Sequence, residues 1–313
     1  MRKLSFVFSM LIGVVMGIES LSASDSDTAK IFYQINEKSC LVKLKLAIQQ
    51  SSLEPIESLN GEKAVADYLK KNREALQFLY QAADMPRVDF GCYNEAVKPE
   101  IIPVVSQTPR CIRLLMCDFS YNVLVTQGTK SGRSLIAALR IVQLTSGIPY
   151  LYGQLLLSSN IRIVFDGVRA MDCKQGDSHK FFSGRDVQEI LSLLNSLEKD
   201  LSTGYQTAFQ REAELKKIYL EEYLRPRLKN ANQLDELIAR YKAFYSFLSK
   251  SFFSPSDAVW TRIMDEAESI NHALTEPLIT PRKWQQRYLE SMEELKMLKE
   301  IFDARKSLSG ENS

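Results

Sequence analysis

The sequence predicts an all-α protein, an irregular multi-helix bundle with helical hairpins, and three observations carry that expectation. Apolar residues recur at intervals of three and four rather than two through most of the chain. Glycine is scarce, 13 in 313 residues, which leaves few sites for tight β-turns. Prolines and capping residues stand where helices should start or stop. A hydrophobic share of 45% with 25% charged residues is the ordinary globular mixture. It excludes a disordered tail, a collagen-like repeat and a polytopic membrane protein. The length suffices for one large core or two modest ones.

Arg2 and Lys3 precede an uncharged run from Leu4 to Ile18, and a short polar segment then ends in small residues at Ala23. This is the three-part layout of a secretory signal peptide over 1–23, with cleavage expected after Ala23 or Ser24. The alternative is an uncleaved anchor at 4–18, for which the run is barely long enough. The expected location is the periplasm or the exterior, or the membrane through that anchor.

A helix is expected over Glu62 to about Ala83, with Val65, Tyr68, Leu69, Leu76, Leu79 and Tyr80 on one stripe. Met85 to Ser106 reads as a long loop punctuated by Pro86, Gly91, Pro99 and Pro103. Thr108-Pro109 looks like a capping threonine followed by a first-turn proline, opening a helix to about Thr126. Gly128 to Gly132 reads as a tight turn. A helix over Ser134 to Thr145 follows, then a mostly apolar one from Tyr150 to Met171, which should be buried at the centre. Ser183 and Asp186 make a capping box for Val187 to Leu201. Thr203-Gly204 reads as a break, followed by a charged helix over Tyr205 to Leu224. Helices are further expected over Leu234 to Phe252, after Ser254-Pro255-Ser256-Asp257, and from Thr280-Pro281 to about Lys306. Residues 24–313 read as one helical domain with a possible boundary near Gly204.

Charge and composition exclude some functions. Forty Lys and Arg stand against 38 Asp and Glu, so the basic excess of a nucleic-acid binder is missing. Removal of 1–23 brings the formal charge from +2 to +1. Two histidines leave little material for His-based catalysis or a His-rich metal site. His179 reads as a solvated loop residue, and His272 as one favoured by a helix C-terminus. Cys40, Cys92, Cys111, Cys117 and Cys173 show no CxxC spacing, so neither zinc nor thioredoxin-type chemistry is indicated. Cys111 and Cys117, six apart on one helix, should not bond each other. The odd number leaves room for a disulfide elsewhere with at least one thiol over. Gly128 to Ser134 imitates a P-loop but has one residue too few between its glycines and follows a helix. No cofactor and no metal are expected.

The order of segments resembles a loose group of uncharacterised bacterial exported all-helical proteins over about residues 60–215. The likeness rests on Met85-Pro86-Arg87-Val88-Asp89-Phe90, on the Cys111–Val125 helix with Gly128 in its turn, on Ser134–Leu144 and on the apolar helix Tyr150–Met171. It implies an exported helical protein and no particular activity. The hairpin Ile112–Thr126 and Ser134–Ser146 also resembles one tetratricopeptide unit, although a solenoid needs at least three.

Two functional readings follow. The first is a non-enzymatic interaction or structural protein of the cell envelope whose partner is another protein. Its expected docking face is an apolar groove with Tyr241, Tyr245, Phe252, Trp260 and Trp284. The second is a hydrolase or small-ligand-binding protein with a carboxylate–arginine pocket between the helices of residues 109–171. Asp118, Asp166 and Arg162 are its candidate residues, since charges inside apolar helices must pair or serve. Nucleic acid is not an expected partner, and the membrane is one only through an uncleaved N-terminal segment.

Overall fold

A computed structural model describes residues 40–51, 61–85, 101–126, 130–148, 150–172, 181–219, 221, 231–253, 255–274 and 280–310. The signal segment 1–23, Cys92, Cys173, His179 and the Gly128 turn lie outside them. The described residues are mostly helical and contain no strand.

The first helix, α1 (Cys40–Gln50), buries Cys40, Leu41, Leu44 and Ala47 on one stripe and packs on α3. The expected helix over 62–83 is two helices, α2 (Glu62–Lys71) and α3 (Arg73–Ala83). Asn72 divides them. It is fully buried, and both its backbone N–H and its Nδ2 donate to the Tyr68 carbonyl, at 3.0 and 2.9 Å. A side chain that bonds its own backbone competes with the helical ladder. Part of the expected loop is helical too: α4 (Ile101–Ser106) accommodates Pro103 in its first turn.

The next helix, α5 (Thr108–Tyr121), has Gln107 and not Thr108 at its N-cap. The Thr108 hydroxyl instead donates to the Val105 carbonyl at 2.8 Å and accepts from Asn160 Nδ2 at 3.0 Å. It is tied between helices and is unavailable for capping. After Tyr121 the helix widens into a π turn, Asn122–Thr126, which leaves Leu124 and Val125 exposed. Helix α6 (Lys130–Ser146) starts earlier than expected, so Gly132 is helical and not part of a turn. Helix α7 (Leu151–Asp172) follows. Helices α5, α6 and α7 pack on one another at the centre, as their apolar surfaces require.

The capping box forms as expected. Asp186 N–H donates to Ser183 Oγ at 3.1 Å, and the Asp186 carboxylate accepts from Ser183 N–H at 3.0 Å. It opens α8 (Gly184–Tyr219), 36 residues long and continuous through Gly204. The break expected there does not occur. The buried stripe Val187, Ile190, Leu191, Leu194, Leu197, Leu201, Tyr205, Ala208 and Phe209 keeps one helical register across it. Gly204 meets a packing need: a Cβ there would lie 2.5 Å from Gln154 Oε1 on α7. Gln154 is fully buried and cannot swing out to solvent.

Gly204→Ala should therefore destabilise the protein by about 1–2 kcal/mol, because overpacking outweighs the gain in helix propensity. Gly184→Ala, whose Cβ would meet nothing within 4 Å, should leave stability within about 0.5 kcal/mol. Urea unfolding of the two variants checks the contrast, and equal midpoints would remove the packing explanation.

The last three helices are α9 (Ala231–Ser251), α10 (Asp257–Leu274) and α11 (Pro281–Gly310). Ser256 caps α10, its Oγ accepting from Val259 N–H at 3.4 Å. His272 falls in the last turn of that helix. Helix α8 is the spine, in contact with α6, α7, α9 and α11. One cluster of buried apolar side chains runs from Cys40 to Phe302. Among the described residues no helix is long and apolar enough to cross a membrane.

Candidate functional site

Asp118 sits at a junction of three elements. Its Oδ2 accepts from Tyr80 Oη of α3 at 2.5 Å, from Ser134 Oγ of α6 at 2.6 Å and from Asn122 Nδ2 of the π turn at 3.1 Å. Tyr80 and Ser134 are themselves 2.8 Å apart, and the Arg133 guanidinium lies over the Tyr80 ring at 4.7 Å. Burial, and then the neighbouring Asp118 charge, raise the Tyr80 phenol well above its ordinary range. Ser134 is fully buried. The carboxylate thus acts as a bracket for α3, α5 and α6.

Asp166 and Arg162 are placed elsewhere, on the α7–α11 seam. Arg162 donates to Asp166 one turn away at 3.2 Å and to Glu294 of α11 at 2.9 Å. The Asp166 side chain is 58% exposed. Burial raises the pKa of Glu294, and Arg162 opposes that shift. Asp118 and Asp166 share no partner, so the pocket expected to unite them with Arg162 is not assembled. The sequence shows that these residues interrupt apolar helices, but not which neighbour each one faces.

The aromatic groove is corrected as well. Tyr241, Tyr245, Phe252 and Trp284 are buried, and Trp260 is half-buried. Phe252 lies 4.8 Å from Phe209 and 5.4 Å from Tyr205, and Trp284 lies 6.1 Å from Phe209, between ring centroids. The reason is the unbroken α8: it carries Tyr205 and Phe209 into the space between α9 and α11. Rings that looked available to a partner are thus packed inside the chain.

A concavity lies where sequence reading did not place one. The C-terminal end of α3, the start of α1, α6 and α8 line a half-open cavity of about 370 Å³, with Arg140 and Asp84 at its polar side and Met85, Ile141, Leu144 and Leu193 among its apolar walls. Arg140 Nη1 donates to Asp84 Oδ1 at 3.0 Å and to the Ala83 carbonyl at 3.2 Å, and Nη2 donates to Glu189 Oε1 at 2.6 Å. The signal was an arginine inside the apolar run Leu135–Leu144. Its partners lie 56 residues before it and 49 after it and left no local trace.

Ser196 and Lys199 have the Ser-x-x-Lys spacing of some serine hydrolases. Ser196 Oγ accepts from Gln143 Nε2 at 2.7 Å, while Lys199 is exposed. That pair is not assembled for nucleophilic chemistry.

Cys111 and Cys117 carry free thiols, in line with their spacing. Burial pushes the Cys111 thiol up to about 12, and burial with the Asp118 charge pushes Cys117 up to about 11. Burial also raises the Tyr205 phenol to about 12. These shifts fix a pH dependence. Below about pH 7.5, a unit under the ordinary thiol pKa of about 8.5, the folded and unfolded chains hold the same protons, and the contribution to stability is complete. As pH rises further, the unfolded chain releases its protons first, so stability falls until the folded groups titrate near 11–12. Each group protonated only in the folded chain lowers stability by about 1.4 kcal/mol per pH unit. The urea midpoint should be level up to about pH 7.5, start to fall near pH 8 and drop steeply above about 9. A level midpoint to pH 11 would refute the assignment.

Among the described residues no group of three or more His, Cys, Asp or Glu could hold a metal ion. Comparison with protein families, with curated proteins and with solved structures finds no match for this chain.

Proposed function

We propose that this chain is an exported, non-enzymatic interaction or structural protein of the cell envelope. The observation that supports this reading is how its charged and polar groups are used. Asp118 brackets α3, α5 and α6, and Arg162 joins α7 to Glu294 of α11. Lys299 joins α11 to Glu198 of α8 at 2.5 Å, and Arg240 joins α9 to Glu266 of α10 at 2.9 Å. Each is a tie between helices, the use expected in a scaffold that holds its surface in a fixed shape. Asp118 and Asp166 act within such ties, which argues against the hydrolase reading. The layout of residues 1–23 supports export.

The test is expression of the full chain with a C-terminal tag in a bacterial host, followed by fractionation and N-terminal sequencing. The expected product is periplasmic and begins at Ser24 or Asp25. Retention in the cytoplasm with Met1 intact would overturn export. Cross-linking in intact envelopes with mass spectrometry should yield a reproducible partner, and none above background would count against the interaction role. A second reading, a small-ligand-binding protein, is favoured by the cavity at Arg140.

A further inference from the structure

We propose that the cavity at Arg140 is a binding site for a small carboxylate on a short aliphatic body. The proposal rests on the second reading above for the existence of a ligand site, and it adds the ligand's class. Small-molecule sites are concave, mostly apolar and about 300–1,000 Å³ in volume, with a few polar groups that orient the ligand. This cavity is concave and of that size: its volume is about 370 Å³, its walls mix polar groups with Met85, Ile141, Leu144 and Leu193, and among the described residues Arg140 is the only cation that lines it.

The guanidinium is held from two sides. Glu189 grips Nη2 at 2.6 Å, and the Ala83 carbonyl, fixed by α3, accepts from Nη1 at 3.2 Å. Asp84 is a different kind of contact. It stands at the very end of α3 with 63% of its side chain exposed, and an exposed ion pair holds only weakly. Arg133 Nη2 lies 3.9 Å from the other Asp84 oxygen, so Asp84 has a second cation to turn to when displaced. Asp84 therefore occupies the place on the Arg140 fork that a ligand carboxylate takes. The planar guanidinium matches a carboxylate in shape and charge. Exchanging one carboxylate for another keeps the charge balance around Arg140, whereas a cationic ligand would face an arginine. The aliphatic part of the ligand then covers the apolar walls.

The chemistry fits a free alkyl acid or a peptide C-terminus, and the test separates them. Isothermal titration of the purified chain uses hexanoate, N-acetyl-leucine, hexylamine and hexanol as probes. For ligands of this size a Kd of about 1 mM is expected for the preferred acid. Hexanoate binding alone indicates an alkyl acid, and N-acetyl-leucine binding alone indicates a peptide terminus. Asp84→Asn, a change at an exposed side chain, should tighten acid binding by about threefold, because it weakens the internal competitor. Arg140→Gln should weaken it at least about tenfold. Preference for hexylamine or hexanol would overturn the carboxylate class and leave the ligand-site reading standing. An acid affinity indifferent to Asp84→Asn would overturn the exchange. No binding of any probe up to about 20 mM, well beyond the affinity expected at this ligand size, would overturn both the class and the site.

Discussion

Phe209→Ala is expected to lower the free energy of unfolding by about 3–5 kcal/mol, the cost of deleting a fully enclosed aromatic ring. Phe209 is completely buried on α8. Its ring lies 4.8 Å from Phe252, 5.9 Å from Tyr205, 6.1 Å from Trp284 and 6.4 Å from Tyr245. Removal leaves a hole between three helices whose rings cannot all close in, because each is held by its own helix. Trp260→Ala, at the half-buried edge of α10, should cost about 1–2 kcal/mol, since it loses less packing. The ratio matters more than either value. If α9–α11 presented a groove to a partner, the same rings would be dispensable for folding and Phe209→Ala would be nearly neutral. Urea unfolding of the isolated chain distinguishes the two. A loss under about 1 kcal/mol, typical of surface positions, would restore the groove.

The helices were legible because each one's pattern is local. The Ser183–Asp186 capping box, the proline at the start of α11 and the stripe from Val187 to Leu201 each lie within a few turns. What failed was long-range. Gly204 looks like a break because glycine usually weakens a helix; only Gln154, 50 residues earlier, shows why it is tolerated. The misjudged groove follows directly from that misjudged break, since a helix ending at Leu201 would leave Tyr205 and Phe209 elsewhere. Asn72 divides α2 from α3 through a side-chain bond that an asparagine inside an apolar stripe does not announce. In the same way Arg140 was visible as an anomaly in an apolar helix, but its carboxylate partners, Asp84 and Glu189, depend on packing. Periodicity names the buried face of a helix; it does not name the helix opposite.

Asp118→Ala is expected to destabilise the protein by about 2–4 kcal/mol, because it withdraws one charged acceptor from three donors at once. Ser134 is fully buried and Asn122 nearly so, and each would lose the bond it makes to Oδ2. Asp118→Asn should cost less, about 1–2 kcal/mol, because a carboxamide oxygen can still accept while its NH₂ opposes the hydroxyls. A second readout separates this bracket from mere side-chain loss. The Asp118 charge and its hydrogen bond both hold the Tyr80 proton in place, so without them Tyr80 should ionise earlier. An ultraviolet titration of Asp118→Ala should show one tyrosine shifted to lower pH relative to the parent chain, though burial still keeps it above its ordinary value. Tyr80→Phe should abolish that shift and, combined with Asp118→Ala, should cost less than the sum of the two single changes, as expected for groups in one network. Wild-type stability in Asp118→Ala, with the tyrosine titration unchanged, would mean that this carboxylate does not brace α3, α5 and α6. Asp118 would then return as a candidate for chemistry.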